Sequence, residues 1–282
     1  MFDNVSLKYV QDFSTCQRER SRTHFDFGLF ANFVPHARDF YGACRHGNTS
    51  LTDNIQLLKY DKDLNLVESN MSVQGEDPRC FLYCGTPYAL TWDPQSIDSI
   101  LGHVFFYKVI NLLDGEVTIL DIDGFPTTPT PLLGKNWIPL ERENKLYFVI
   151  TIDPQICILE CDLNTGKCTW ETPIDMVKGD LQITISRGGT PLIFNEESQL
   201  YFGLGHRTYN CHNHSAFVYT LTKDFKTATI GGDIATEFST GVNDPLSIFQ
   251  KDDKTYCCIA NFPIQAGDTL FARSSLYEVN LS

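Results

Sequence analysis

The chain is short of positive charge, of methionine and tryptophan, and of long apolar runs. Lys and Arg number 22 against 35 Asp and Glu, a formal charge of −13. So acidic a chain repels phosphate backbones and anionic lipid, which excludes nucleic acid and membranes as expected partners. No stretch approaches the roughly 18 apolar residues that span a bilayer. The start, MFDNVSLKYV, has no basic region followed by an apolar stretch, so no signal peptide is visible. Helical periodicity is confined to two short candidates, 95–101 and 173–181. There are 10 cysteines, irregularly spaced and including the adjacent Cys257 and Cys258. They read as scattered thiols of a reducing compartment rather than a disulfide framework. A cytoplasmic location follows, while sequons at Asn4, Asn48, Asn70, Asn213 and Asn280 leave the secretory lumen open. His206, Cys211, His212 and His214 crowd together without a second cysteine pair or a finger spacing, so no metal and no cofactor are expected.

What the chain does have is 42% hydrophobic residues, with 20 Phe and 12 Tyr, enough for one large all-β domain spanning 1–282. One pattern recurs: an apolar strand, a polar turn, and a returning strand. It is seen in IQLLKYDKDLNLVE (55–68), VFFYKVINLLDGEVTIL (104–120), CILECDLNTGKCTWE (157–171), AFVYTLTKDFKTATI (216–230) and SLYEVNLS (275–282). Tyr60, Tyr107, Cys161, Tyr219 and Tyr277 mark the repeat at spacings of about 47, 54, 58 and 58 residues. Each such hairpin is preceded by another strand–turn–strand unit. Four strands in each of five units predicts a five-bladed β-propeller. The last unit stops one strand short, and VSLKYV (5–10) is available to close the ring. A β-sandwich would not explain five similar units.

Innermost propeller strands line a central channel, and the loops at one end form the usual site. Polar residues fall where these strands start or end: Asn32, Arg45 and His46, Glu76, Asp77 and Arg79, Lys135 and Asn136, Arg187 with Gly188 and Gly189, His206 and Arg207, and Gly267 with Asp268. Carboxylates and amides suit sugar hydroxyls, whereas Arg, Lys and His suit phosphate.

These residues also carry a family resemblance. GEDPR (75–79) resembles the Glu-Asp-Pro-Arg motif of the inverting β-mannoside phosphorylases and their β-1,2-mannosyltransferase and hydrolase relatives, which are five-bladed propellers. GKNWIPL (134–140), RGGTPLIF with LYFGLGH (187–206), FSTGV with AGDTLFA (238–272) and ANFVPHARDFYGACRHG (31–47) are similar to further family segments, in family order. The resemblance implies Asp77 as general acid, with Asn32, Glu76, Arg79 and Asp268 at the sugar. It implies Arg45, Lys135, Asn136, Arg187 and His206 around phosphate or the phosphate of a sugar-phosphate or nucleotide-sugar donor. The stretch YFVITIDP (147–154) holds Thr151 and Asp153 where the family usually has His-Arg-Pro, and this departure weighs against ordinary phosphorolysis.

The expected function is therefore inverting transfer of a glycosyl group, mannosyl by the resemblance, on a sugar or oligosaccharide substrate. One rival is an inverting hydrolase with a second carboxylate, such as Glu196 or Asp153, facing Asp77. The other is a non-catalytic propeller that binds glycans or proteins and has its channel plugged by apolar side chains.

Overall fold

The computed structural model describes residues 5–13, 27–47, 53–98, 102–122, 136–153, 155–172, 186–210, 213–236, 241–262 and 273–281. Lys135, Asp268, Cys211, His212 and the helix candidate at 173–181 lie outside them. Every regular element among the described residues is a strand, and residues 95–98 of the other helix candidate belong to one.

The strands form five sheets. Strand β1 (Val5–Phe13) precedes the first blade, β2 (Phe27–His36), β3 (Asp39–Gly47), β4 (Asn54–Tyr60) and β5 (Leu66–Gln74). The second blade is β6 (Glu76–Tyr83), β7 (Thr86–Asp98), β8 (Gly102–Asn111) and β9 (Val117–Ile119). In the third, β10 (Asp121–Ile122) lies outside β14 (Lys167–Trp170), β13 (Cys157–Cys161), β12 (Lys145–Thr151) and the inner strand β11 (Ile138–Arg142). The fourth has a broken inner strand, β15 (Ser186–Arg187) and β16 (Ile193–Asn195), both on β17 (Leu200–Asn210), followed by β18 (Asn213–Thr222) and β19 (Ala228–Ile234). The fifth is β20 (Val242–Lys251), β21 (Lys254–Phe262) and β22 (Arg273–Leu281). Its outer strand is β1, paired antiparallel from Val5 on Leu281 to Phe13 on Ser274. The five-bladed propeller expected from the repeat is the fold, and VSLKYV closes the ring.

Packing follows the seams. One cluster joins Val34 and Ile55 of the first blade to Cys80 and Ile110 of the second. Others join the second to the third through Phe81, Tyr107 and Trp137, and the third to the fourth through Tyr147 and Phe217. Phe202 meets Ile248 and Tyr277 between the fourth and fifth. The closing seam sets Phe13 and Phe249 against Phe33, with ring centroids 4.7 and 5.8 Å away. Each buried aromatic contributes roughly 1.5–3 kcal/mol, so ring closure rests on apolar area as much as on the β1–β22 ladder. Cys257 and Cys258 point to opposite faces and pack into two different seams.

One expectation is corrected. Cys161 and Cys168 form a disulfide, because the β13–β14 register sets them directly opposite, with Cα atoms 4.1 Å apart. Cys44, Cys80, Cys84, Cys157, Cys257 and Cys258 remain outside disulfides.

Candidate active site at the start of the inner strands

Inner strands of a propeller run side by side through the ring, so their first residues share one end of the channel. Irregular backbone gathers there. The β2–β3 register shifts between Leu29 and Asn32, the β6–β7 register between Glu76 and Arg79, and the β20–β21 register between Pro245 and Ser247. Bulges re-aim side chains and are common beside active sites. Phe30, Asp77 and Asn136 have φ of 57°, 48° and 69°. Left-handed backbone at a non-glycine residue costs roughly 1–3 kcal/mol and persists only where its surroundings impose it.

The first group of charges surrounds Arg45, near the end of β3. Its guanidinium donates through Nε to Asp53 Oδ2 at 2.8 Å and through Nη2 to the same oxygen. Nη1 reaches Asp77 Oδ1 at 3.0 Å and lies 3.3 Å from Glu76 Oε2. Three carboxylates from two blades thus share one cation. Burial opposes the charge on Arg45, but Asp77, Glu76 and Asp53 outweigh it and raise its pKa above the ordinary guanidinium value. Asp77 is buried, whereas Arg45, Asp53 and Glu76 stay about one-fifth exposed and face the mouth. The main chain here is anchored from below. Thr91 Oγ1 donates to Glu76 O at 2.7 Å, and Lys108 bonds both Gln74 O and the buried Asp93.

The second group lies deeper. Arg79 donates through Nη1 to Pro245 O at 2.8 Å and through Nη2 to Asn136 Oδ1 at 2.6 Å, joining the second blade to the fifth and third. Burial lowers its pKa, opposed by the charges of Asp244 and Asp77. Asn136 is held by its neighbour Trp137, whose ring stacks on Tyr107 at 3.7 Å. Asn32 is fully buried. Its Nδ2 donates to Phe30 O and Pro78 O, and its Oδ1 accepts from the Cys80 N–H. Both amide donors are committed to the seam, so Asn32 shapes the site and has no donor left for a sugar.

The third group joins the fourth and fifth blades. His214 Nδ1 lies 2.7 Å from Asp244 Oδ1, and His206 stacks on His214 with centroids 5.1 Å apart. Burial lowers the His206 pKa to about 4; Arg79, His214 and Arg187 add to this and Asp244 opposes it, so the imidazole is neutral at pH 7. Burial alone would raise the Asp244 pKa. Neighbouring His206, the hydrogen bond from His214 and the charge of Arg79 hold it below the ordinary carboxylate range. Arg187 reaches this group because Gly188 and Gly189 let the chain press against its neighbours. A Cβ on Gly188 would meet Asn136 O at 2.1 Å, and one on Gly189 would meet Leu204 O at 2.3 Å. Close approach, and not a special φ, is what these glycines provide.

The ring therefore brings Arg45, Glu76, Asp77, Arg79, Asn136, Arg187 and His206 to one end of the channel. Asp53, His214 and Asp244 are there too. His214 had stood out only as part of a metal-like cluster. Asp244 was hidden among the Asp-Pro pairs at Asp77, Asp93, Asp153 and Asp244; its signal was an Asp-Pro opening an inner strand, as at Asp77. Glu196 sits exposed in the turn after β16 and Asp153 is exposed beyond β12; among the described residues the buried carboxylates here are Asp77, Asp244 and, neutralised by Lys108 beneath the main chain, Asp93.

No protein-family model matches the chain, and no curated protein sequence matches it significantly. Its fold is similar to solved structures. A xylan β-1,4-xylosidase from Bacillus halodurans superposes with a TM-score of 0.62 at 13% identity, over 91% of this chain and 53% of that one. An α-L-arabinofuranosidase from Lactobacillus brevis gives 0.58 at 12% identity, over 89% and 90%. A GH43 protein from Bacillus licheniformis gives 0.60 at 10% identity, over 91% and 55%. The chain spans about half the length of the first and third of these. At such identities the likeness establishes the fold.

Proposed function

We propose that this protein is a carbohydrate-active enzyme that cleaves or transfers a glycosyl group with inversion at the channel end formed by Asp53, Glu76, Asp77 and Arg45. The observation that carries the reading is the buried Asp77, held in a left-handed conformation at a bulge and sharing Arg45 with two further carboxylates. Asp77 is the proton donor to the departing oxygen. Arg45 must first release it, and Asp53 and Glu76 already offer the guanidinium two other partners. A sugar hydroxyl taking the place of Arg45 at Asp77 completes that exchange. Asp53 and Glu76, partly exposed, accept from sugar hydroxyls.

The acceptor follows from charge. Arg79 is spent on Pro245 and Asn136, Arg45 is outnumbered by carboxylates, and His206 is neutral at pH 7. Among the described residues of the centre, Arg79 and Arg187 are the cations without an ion pair, and Arg79 is already hydrogen-bonded to Pro245 and Asn136. Water or a sugar hydroxyl fits such a site better than phosphate, with the partly exposed carboxylate of Asp53 or Glu76 taking its proton, so hydrolysis or transglycosylation is the first reading. The fold similarity to a xylosidase and an arabinofuranosidase supports it. The second reading is phosphorolysis, or mannosyl transfer from a sugar-phosphate or nucleotide-sugar donor. It is favoured by the GEDPR resemblance and by Arg187 beside His206.

The test is incubation with β-mannosides, β-xylosides and α-arabinofuranosides, with and without phosphate, followed by NMR of the first anomeric product. Inverted sugar released regardless of phosphate is expected. Release only with phosphate selects the second reading. No turnover of these glycosides, nor of sugar-phosphate and nucleotide-sugar donors, would overturn the proposal.

A further inference from the structure

His206, His214 and Asp244 form a group that hydrolysis or transglycosylation does not use. They come from different strands, β17, β18 and β20, and two blades. Their donor atoms all lie within 4.8 Å of one another. Asp244 Oδ1 is 2.7 Å from His214 Nδ1 and 3.8 Å from His206 Nδ1. His206 is 1% exposed, and its Nδ1 has no hydrogen-bond partner among the described residues. A buried polar atom without a partner is destabilising, so its position asks for an occupant. The gap toward Asp244 is too long for a direct hydrogen bond, and it faces the one carboxylate of the group.

We propose that His206, His214 and Asp244 bind one divalent transition-metal ion of the zinc type. Two imidazoles and one carboxylate form a donor set that prefers borderline ions to calcium or magnesium, which favour all-oxygen shells. Zinc bonds of roughly 2.0–2.2 Å require donors about 3–3.5 Å apart. The His206–Asp244 distance is already close to that, His214 has to move outward from Asp244 by under about 1 Å, and the two imidazole donors, within 4.8 Å of each other, have to draw together by up to about 1–2 Å. His214 is partly exposed and has room to do so. Three protein donors leave at least one position open toward the channel. Arg79 lies near Asp244 and opposes the added charge, but its two Nη groups are tied to Pro245 and Asn136, and the ligands retain the ionised Asp244. The inference is independent of the reaction proposed above, since it is read from binding alone.

The test uses the full chain, stripped with a chelator and titrated at pH 7.5 with zinc by calorimetry and with cobalt by absorption. One saturable equivalent is expected, with ligand-field bands for cobalt, and no comparable binding of calcium or magnesium. Changing residues around a metal ligand commonly costs 10–100-fold in affinity, so His206→Ala and Asp244→Asn should each cost at least about 100-fold. His36→Ala, which removes a partly exposed histidine bonded to Gly85 O and remote from this group in sequence and blade, should change nothing. If a buried variant fails to fold, the partly exposed His214→Gln carries the same comparison. Absence of saturable binding, or equal binding by His206→Ala, His214→Gln and wild type, would overturn the proposal, whether or not the protein turns over a sugar.

Discussion

The two ends of the inner strands differ more than any two blades do. At their starts lie Asp77, Arg79, Asn136, Arg187 and Asp244, with bulges and left-handed residues among them. Toward their ends the same strands turn apolar. Phe81 and Leu82, Pro139 and Leu140, Leu192 and Ile193, and Ile248 and Phe249 line a hollow of about 290 Å³, together with Glu141 and Gln250. One set of strands thus separates two tasks along its length. The apolar end belongs to the seams that hold the ring, as Phe81, Leu140, Ile248 and Phe249 each belong to an interblade cluster. The polar end carries strain and buried charge that such a ring can bear.

The comparison is broken most severely at Asp77. Asp77→Asn keeps size and removes the transferable proton. Turnover should fall roughly 10²–10⁴-fold while sugar binding, followed by calorimetry, survives. Near-normal turnover on a substrate whose leaving group needs a proton would remove Asp77 from the mechanism.

Arg79→Met should cost stability at the polar end, by about 3–5 kcal/mol in denaturant melts, because Asp244 loses a buried counter-charge and Asn136 a donor. At the apolar end Ile248→Ala should cost about 2–5 kcal/mol through a cavity alone. The two differ in kinetics: the Arg79 variant should lose turnover, and the Ile248 variant should keep it in the fraction that stays folded. Equal kinetic damage from both would erase the division of tasks.

How far the sequence foretold this division depends on the range of the contact. Four hairpins and the final strand with its closing partner at 5–10 are local patterns, and they lie where periodicity puts them, while the GEDPR turn is legible as a local motif. The partnership of Arg45 with Asp53 was missed because the intervening residues gave no motif. His214 with Asp244 was missed because 30 residues separate them, and only ring closure pairs the fourth blade with the fifth. Asn32 shows the opposite failure. An amide in a family-like position reads as a sugar ligand, but its donors are spent between β2 and β6.

A smaller effect sharpens the contrast through pH. In chelator-treated protein His206 titrates at about 4, against 6.5 for an ordinary histidine. Between these values the unfolded chain holds more protons, so stability is full above about 6.5 and declines as pH falls toward 4. The loss is on the order of 3 kcal/mol. Asp244, whose pKa is lowered, adds a further decline as pH drops below the ordinary carboxylate range. Melting temperature against pH should show both limbs, and His206→Gln should remove the upper one. A flat profile from pH 7 to 4 would contradict the neutral, buried His206.

The central claim is that the starts of the inner strands form a sugar site. A crystal structure of the protein soaked with mannose and phosphate tests it most directly. The account predicts a sugar ring at the polar end, with a hydroxyl in hydrogen-bond range of the Asp77 carboxylate and Arg45 shifted toward Asp53. A sugar seated in the apolar hollow beside Phe81 and Phe249, with the Arg45–Asp77 pair undisturbed, would contradict it.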